Sequence, residues 1–331
     1  MTSALLIVGH GTRSPEGQEE CAALLETVRA RRPGRRVELG YLELCDPPIA
    51  DVVAGLVADG VDDITVVPLV LLGAGHAKGD VPAAIARERR RHPGVRFGYG
   101  QPLGVHPDLV ELVDTRLRGA VDEAHRHETA VVLVGRGTTD PDANADLAKI
   151  ARLLWEGRPW PLVEPAFISL ASPSVPDALK RSRRLGARRV VVVPYFLFTG
   201  ILEQRIRDQA ATWAAGVPDV EVTSAGYLGP DVTVADLVLA RTDEARAGEA
   251  TGNCDTCLYR VALPGFEDKV GAPQTLHHHP TDPGTHGNGH HGHGHPGHGH
   301  PGHDRHDQQI HGDDQGPVTA PAGNAASDRR P

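Results

Sequence analysis

Two histidines and one glutamate stand where they could share a metal ion. His10 lies between two glycines in GHGT, His76 follows an aliphatic run in LLGAGHAKGD, and Glu43 lies in GYLELCDP. Neutral imidazole nitrogens and carboxylate oxygens bind divalent transition metals, and three such ligands leave coordination positions open. An imidazole is also a base near neutral pH. These residue types indicate an open metal site in which His10 and His76 are also catalytic, although a lone histidine after a strand is more commonly a surface or capping residue.

The elements that must position these residues alternate between short aliphatic runs and longer amphipathic ones. The pattern predicts strands at 4–8, 37–44, 64–72 and 95–99, with helices between them and a last helix at 107–125. Such alternation predicts a parallel sheet with helices on both faces. Because the carboxyl ends of parallel strands share one edge of a sheet, we expect His10, Glu43 and His76 to meet at that edge.

The same pattern then starts again. Four matches lie in the same order in both parts of the chain, three at an offset of 126 residues and the last at 125. They are GHGT at 9–12 with GRGT at 135–138, Pro47 with Pro173, Pro68 with Pro194, and Leu103-Gly104 with Leu228-Gly229. Ordered matches of this kind indicate a duplicated domain. The sequence therefore predicts an α/β fold of two four-stranded parallel-sheet half-domains, residues 1–126 and 127–250, facing one another across a cleft.

The repeat supplies an internal comparison for the histidines. The second half has Arg136 where the first has His10, and Leu202 where the first has His76. Neither histidine is therefore needed to form a half-domain, which favours a functional role for the pair over a capping role.

Cations flank the same loops. Arg13, Arg136 and Lys78 would surround the histidines if the two halves face each other, and they suit a ligand that carries carboxylates. Solvated loop charges are the alternative interpretation.

Composition excludes several classes of function. The chain has 331 residues and a net charge of −9, and residues 1–250 and 251–331 are each acidic, so no nucleic-acid partner is expected. Four cysteines are too few for a disulfide scaffold, and the longest apolar runs are too short to cross a membrane. GxxxxGK(S/T) and GxSxG motifs are absent, and GxGxxG is absent from residues 1–250. The N-terminus has no basic region before a short apolar stretch, so we expect a cytoplasmic protein.

Residues 251–331 form a third region of different composition. Thirteen histidines lie between His277 and His311 among Gly, Pro and Asp, and aliphatic residues are scarce, which predicts a disordered tail. Cys254 and Cys257 form a Cys-x-x-Cys pair that could bind a metal or an iron–sulfur cluster, form a redox pair, or simply be exposed thiols. The candidate accessory metal ligands are Cys254, Cys257, His290, His291, His293 and His295.

Three segments carry a resemblance to a known family. VGHGTRSP, YLELCDP and PLVLLGAGHAKGDVP resemble the class II tetrapyrrole chelatases, specifically the sirohydrochlorin chelatases, and the likeness extends over residues 3–245. The resemblance implies insertion of a divalent metal into sirohydrochlorin, with cobalt for cobalamin synthesis as the leading expectation. It implies that His10 is a metal ligand and proton acceptor, that His76 is a metal ligand, and that Glu43 lies at the metal or substrate site. It also implies that the macrocycle is lined by Leu71, Leu72, Gly73, Ala74 and Gly75.

The tail resembles that of the long cobaltochelatase form, with one departure. Gly252 stands where the Met-x-Cys-x-x-Cys motif of that form has Met, which leaves open whether Cys254 and Cys257 hold an iron–sulfur cluster. A ferrochelatase that makes sirohaem is the nearest alternative, since the same ligands bind Fe²⁺, and Ni²⁺ is a further candidate metal. A metal storage or delivery protein is the alternative from another class. Because the duplication supplies both halves, we expect a monomer.

Overall fold

The two predicted sheets are present in the computed structural model, which describes residues 2–252 and 254–272. Each sheet has four parallel strands, in the orders β2-β1-β3-β4 and β6-β5-β7-β8. The strands are β1 (Ser3–Gly9), β2 (Arg36–Tyr41), β3 (Asp63–Pro68), β4 (Arg96–Tyr99), β5 (Thr129–Gly135), β6 (Val163–Phe167), β7 (Arg189–Pro194) and β8 (Glu221–Ser224). The helices are α1 (Pro15–Arg31), α2 (Ile49–Ala58), α3 (Val81–Arg91), α4 (Pro107–Ala120), α5 (Pro141–Trp155), α6 (Val175–Arg184), α7 (Ile201–Ala215) and α8 (Val232–Ala247). The predicted α/β fold is confirmed.

Strand β1 shows why its run is apolar at every position. Side chains alternate between the faces of a strand, and both faces of this one are covered. Leu5 and Ile7 pack into a core that continues to β5 of the second sheet, while Leu6 and Val8 pack against α2 and α3 on the other face. The second sheet repeats this arrangement, with α6 and α7 on its outer face.

The last helix of each half packs on the sheet of the other half. Helix α4 contacts β7, whereas α8 contacts β3 and β4. The guanidinium of Arg116 in α4 donates to the carbonyl oxygen of Leu228 at 2.6 Å, and that of Arg241 in α8 donates to the carbonyl oxygen of Leu103 at 2.6 Å. The two contacts are related by the 125-residue offset, so the repeated Leu-Gly pairs receive equivalent arginines. The sequence boundaries at 126 and 250 describe the repeat, and in three dimensions the halves exchange these helices.

Three elements end earlier than the apolar pattern predicts, and the first of them is the second strand, which ends at Tyr41 instead of residue 44. The third strand ends at Pro68 instead of residue 72, because Leu71 and Leu72 pack against the core from a loop and so prolong the apolar run. The helix predicted over 107–125 ends at Ala120 and is followed by a 3₁₀ turn, Glu123–Glu128, whose sequence is polar.

Part of the third region lies against the second half. In residues 254–272 the Thr256 hydroxyl donates to Asp142 Oδ1 at 2.6 Å, and the Leu258 side chain is 4% exposed. The disorder predicted from residue 251 onward therefore does not apply to this stretch, and residues 273–331 lie outside the described residues. None of the helices in the described ranges is long and apolar enough to cross a membrane.

Candidate functional site

The three predicted ligands meet at the carboxyl edge of the first sheet. His10 directly follows β1, Glu43 lies two residues after β2, and His76 lies in the loop after β3. His10 Nε2 is 3.0 Å from Glu43 Oε1, and the rings of His10 and His76 contact edge to face with centroids 4.5 Å apart. The separation of His10 Nε2 and Glu43 Oε1 is that of a direct contact between the imidazole and the carboxylate, so two of the predicted ligands lie side by side.

The three predicted ligands do not form a metal-binding arrangement in this structure. Among residues 2–252 and 254–272, no group of three or more His, Cys, Asp or Glu side chains is arranged as a metal site. At this edge His10 Nε2 and the Glu43 carboxylate contact each other directly. An ion bound between these atoms would replace that contact.

The glycines around His10 are required by the chain's own backbone. Gly11 has φ +97°, and a Cβ there would overlap the carbonyl oxygen of Glu43. Gly137 has φ +82°, and a Cβ there would overlap the carbonyl oxygen of Ser169 in the same way. The close approach places the Glu43 loop directly on the His10 loop.

His76 begins a short π-helical turn, His76–Asp80, that leads into α3. This turn sets His76 Nδ1 at 2.7 Å from Asp80 Oδ2. An ionised carboxylate only accepts hydrogen bonds, so Nδ1 carries the proton and Nε2 keeps the lone pair that a metal needs. Burial, with smaller contributions from His10 and Arg136 and against the opposing effect of Asp80, lowers the pKa of His76 to about 4. The His76 imidazole is thus neutral at physiological pH. The sequence alone did not identify Asp80 as the hydrogen-bond partner of His76.

Arg136 brings a positive charge from the second half to this cluster. The Glu43 carboxylate raises the pKa of its guanidinium while desolvation by the surrounding protein lowers it more, and Arg136 in turn disfavours a charge on His76. Arg136 therefore lies close to both predicted ligands. Arg13 is exposed in the loop after His10.

The ammonium group of Lys78 is bound by two aspartates of the second half. Its Nζ lies 2.7 Å from Asp140 Oδ2 and 2.8 Å from Asp142 Oδ2, and both carboxylates are buried. Burial lowers the pKa of Lys78, but the hydrogen bonds to these aspartates outweigh it and the pKa is raised. Lys78 thereby ties the His76 turn to the start of α5, a contact that the sequence did not predict.

The predicted macrocycle loop has two different surroundings. Leu71 and Leu72 are half-buried against the main core. Gly73 lines a cavity of about 350 Å³ between the two halves, and Ala74 and Gly75 lead from there to His76. The cavity extends towards β4 and α5 and does not contain His10, Glu43 or His76, so it adjoins the cluster and is not the cluster itself.

The candidate accessory ligands are only partly described. Cys254 is exposed and Cys257 half-buried, and both are free thiols in the described part of the chain. Among the described residues, neither cysteine belongs to a group of three or more His, Cys, Asp or Glu side chains that could hold a metal ion. His290, His291, His293 and His295 lie outside the described residues.

The arrangement defines a two-lobed α/β protein with a His–Glu–His cluster on one side of its cleft and an arginine on the other. The sequence model of the CbiX family matches residues 4–120 and 130–245, once in each half. The chain belongs to the CbiX family.

Individual relatives have the same organisation. The chain is 38% identical over 263 residues to the sirohydrochlorin cobaltochelatase of Priestia megaterium, covering 78% of this chain and 85% of that protein. It is 37% identical over 248 residues to the sirohydrochlorin ferrochelatase of Bacillus subtilis, covering 75% of this chain and 93% of that protein. The solved structure of SirB from Bacillus subtilis with Fe³⁺ is similar, with a TM-score of 0.68, 35% identity, and coverage of 76% of this chain and 99% of that one.

Proposed function

We propose that this protein is a sirohydrochlorin chelatase that inserts Co²⁺ into the macrocycle with release of two protons, in cobalamin biosynthesis. The observation that carries the proposal is the contact of His10 with both Glu43 and His76 at one sheet edge, opposite Arg136. The relatives named above support the chelatase class, and their names include both cobalt and iron enzymes.

Metal delivery follows from the donor set. His10 Nε2, His76 Nε2 and the Glu43 carboxylate hold the ion and leave positions for ring nitrogens. Such an open site can release its ion, whereas four thiolates around the ion would retain it.

Proton removal is assigned to His10. Two pyrrole N–H protons must leave as the ion enters. Once the ion has moved from His10 Nε2 to the ring nitrogens, the lone pair left on that atom can accept the protons one at a time and pass each to solvent. Arg136 and Arg13 bind peripheral carboxylates of the macrocycle, since guanidinium groups match carboxylate geometry. The segment Leu71–Gly75 lines one face of the ring.

The choice of cobalt rests on the histidine-rich segment. Thirteen imidazoles between His277 and His311 bind borderline divalent metals such as cobalt or nickel more tightly than iron, which suits a scarce metal. The alternative is a ferrochelatase for sirohaem synthesis, because the same three ligands bind Fe²⁺.

An absorbance assay tests the proposal. Purified full-length protein is mixed with metal-free sirohydrochlorin and Co²⁺, Fe²⁺ or Ni²⁺ in turn, and the spectral change of the macrocycle is followed against a protein-free control. Co²⁺ should give the highest kcat/KM. A higher value for Fe²⁺ would assign the ferrochelatase role, and rates equal to the control with every metal would leave metal storage or delivery as the function.

A further inference from the structure

Two large apolar side chains are exposed at the carboxyl edge of the second sheet. Leu170 is 67% exposed in the loop after β6, and Ile201 is 73% exposed at the start of α7, after β7. Most other large apolar side chains of the described residues are buried in the three cores. Two exposed side chains at one functional edge are therefore unusual for this chain.

Both residues follow strands that neighbour β5, the strand that Arg136 follows. The Ser169 N–H donates to the Arg136 carbonyl oxygen at 2.9 Å, which holds Leu170 next to the Arg136 loop. Because β5 lies between β6 and β7, Arg136 after β5 is flanked by Leu170 on one side and Ile201 on the other.

The Ile201 side of this row also adjoins the first half. The Thr199 N–H donates to Glu20 Oε2 of α1 at 2.8 Å, and the Thr199 carbonyl oxygen approaches Gly17 at the start of the same helix. Helix α1 begins five residues after His10. The row of Leu170, Arg136 and Ile201 therefore borders the cleft opposite the predicted ligands.

The backbone makes leucine an unfavourable choice at position 170. Its φ is +57°, in the left-handed region, where glycine or asparagine is more easily accommodated. Leu44, its counterpart in the first half, has φ +69° but is half-buried. Neither the backbone conformation nor the exposure of this position favours leucine. Binding of an apolar surface would explain why leucine is present.

We propose that Leu170 and Ile201 form the apolar wall that holds the second face of the tetrapyrrole macrocycle, with Arg136 between them on its carboxylates. This inference rests on the proposed function and extends it to the second half. The flat face of the macrocycle is the occupant because Leu71 and Leu72, assigned to the first face, are half-buried, so most exposed apolar surface at the cleft belongs to Leu170 and Ile201.

The test compares Leu170→Asn and Ile201→Ser with Leu185→Ser in the full-length protein. Asparagine tolerates the left-handed backbone, so Leu170→Asn should fold. Leu185 is a matched control because it is also 67% exposed but lies between α6 and β7, at the opposite edge of the sheet. Titration of metal-free sirohydrochlorin, followed by its absorbance, gives Kd, and the insertion assay gives kcat at saturating macrocycle.

We expect each cleft substitution to raise Kd about tenfold, as loss of a buried apolar side chain contact does, and Leu185→Ser to leave it unchanged. The kcat at saturation should stay within about twofold, because neither residue contacts the metal ligands. If the wild-type protein inserts metal and all three variants have the wild-type Kd for the macrocycle, this inference is overturned and the proposed function stands. A wild-type protein that inserts no metal overturns the proposed function, and the inference with it. Sedimentation of wild type and variants identifies self-association: a dimer lost on Leu170→Asn with unchanged Kd assigns the wall to a second copy and overturns the proposal.

Discussion

At the scale of single residues, the repeat separates what His10 and His76 do for the fold from what they do for function. Arg136 and Leu202 occupy the equivalent positions in a half that forms the same four-stranded sheet. The two histidines are also only partly buried, so their loss removes little core contact.

We therefore expect His10→Ala and His76→Ala each to lower the rate of metal insertion by at least about 100-fold, the range of an acid–base or ligand residue. Circular dichroism and the thermal midpoint should remain close to those of wild type. His127→Ala is the control, since His127 is exposed and lies just before β5, at the amino edge of the second sheet and not at the carboxyl edge. Full turnover in either cluster variant would disprove the site assignment.

The low pKa of His76 has a consequence for stability. Burial, with contributions from His10 and Arg136 and against Asp80, lowers this pKa to about 4. Between pH 6.5 and 4 the unfolded chain binds a proton at His76 that the folded chain does not, so folding stability falls as pH falls through this window.

Urea unfolding at pH 7 and pH 4.5 measures this loss. The wild-type protein should lose about 2–3 kcal/mol more than His76→Gln over this range, because glutamine has no proton to bind. An equal loss in both proteins would show that His76 does not titrate below its ordinary value.

At the scale of elements, the loops after β1 and β2 can pack closely because Gly11 has no side chain. Gly11 needs its positive φ of +97° and leaves no room for a Cβ beneath the Glu43 carbonyl oxygen. Gly34 has a similar φ of +85°, but a Cβ there would meet no other described atom within 4 Å. The two positions differ only in the close approach of a neighbouring loop.

Gly34→Ala should lower the free energy of unfolding by about 1 kcal/mol, the effect of placing alanine in a left-handed conformation. Gly11→Ala should lower it by at least about 3 kcal/mol, because the loops must also separate. Denaturant unfolding compares the two variants. Equal losses would mean that the contact between the His10 and Glu43 loops contributes nothing to stability.

At the scale of the whole molecule, part of the third region contacts the second half. The Thr256 hydroxyl bonds the same Asp142 that pairs with Lys78, and the Leu258 side chain is buried. We therefore expect deletion from residue 251 to destabilise the folded body, and deletion from residue 273 to leave it intact.

Two truncations test this expectation. Ending the chain after Ala272 should leave stability and the rate at saturating metal unchanged but lower the rate at limiting Co²⁺, because thirteen imidazoles no longer raise the local metal concentration. That difference should shrink below about pH 6.5, where the imidazoles become protonated. Ending the chain after Ala250 should in addition lower unfolding stability by about 1–3 kcal/mol, from loss of the Thr256 bond and Leu258 burial. Identical rate curves at limiting metal for full-length and Ala272-terminated protein would reject delivery by the tail.

The amino-acid sequence by itself determined the repeat, the parallel sheets and the edge at which His10, Glu43 and His76 meet. These follow from local periodicity and from the fact that parallel strands end at one edge, so no knowledge of how the halves pack is required. Only the tertiary structure decided the exchange of α4 and α8, the buried partners of Lys78 and the exposure of Leu170. Each depends on which surfaces of two similar halves meet. Contacts between residues 60 or more positions apart, such as Lys78 with Asp140, leave no periodic trace in the chain because either partner alone looks like an ordinary surface charge.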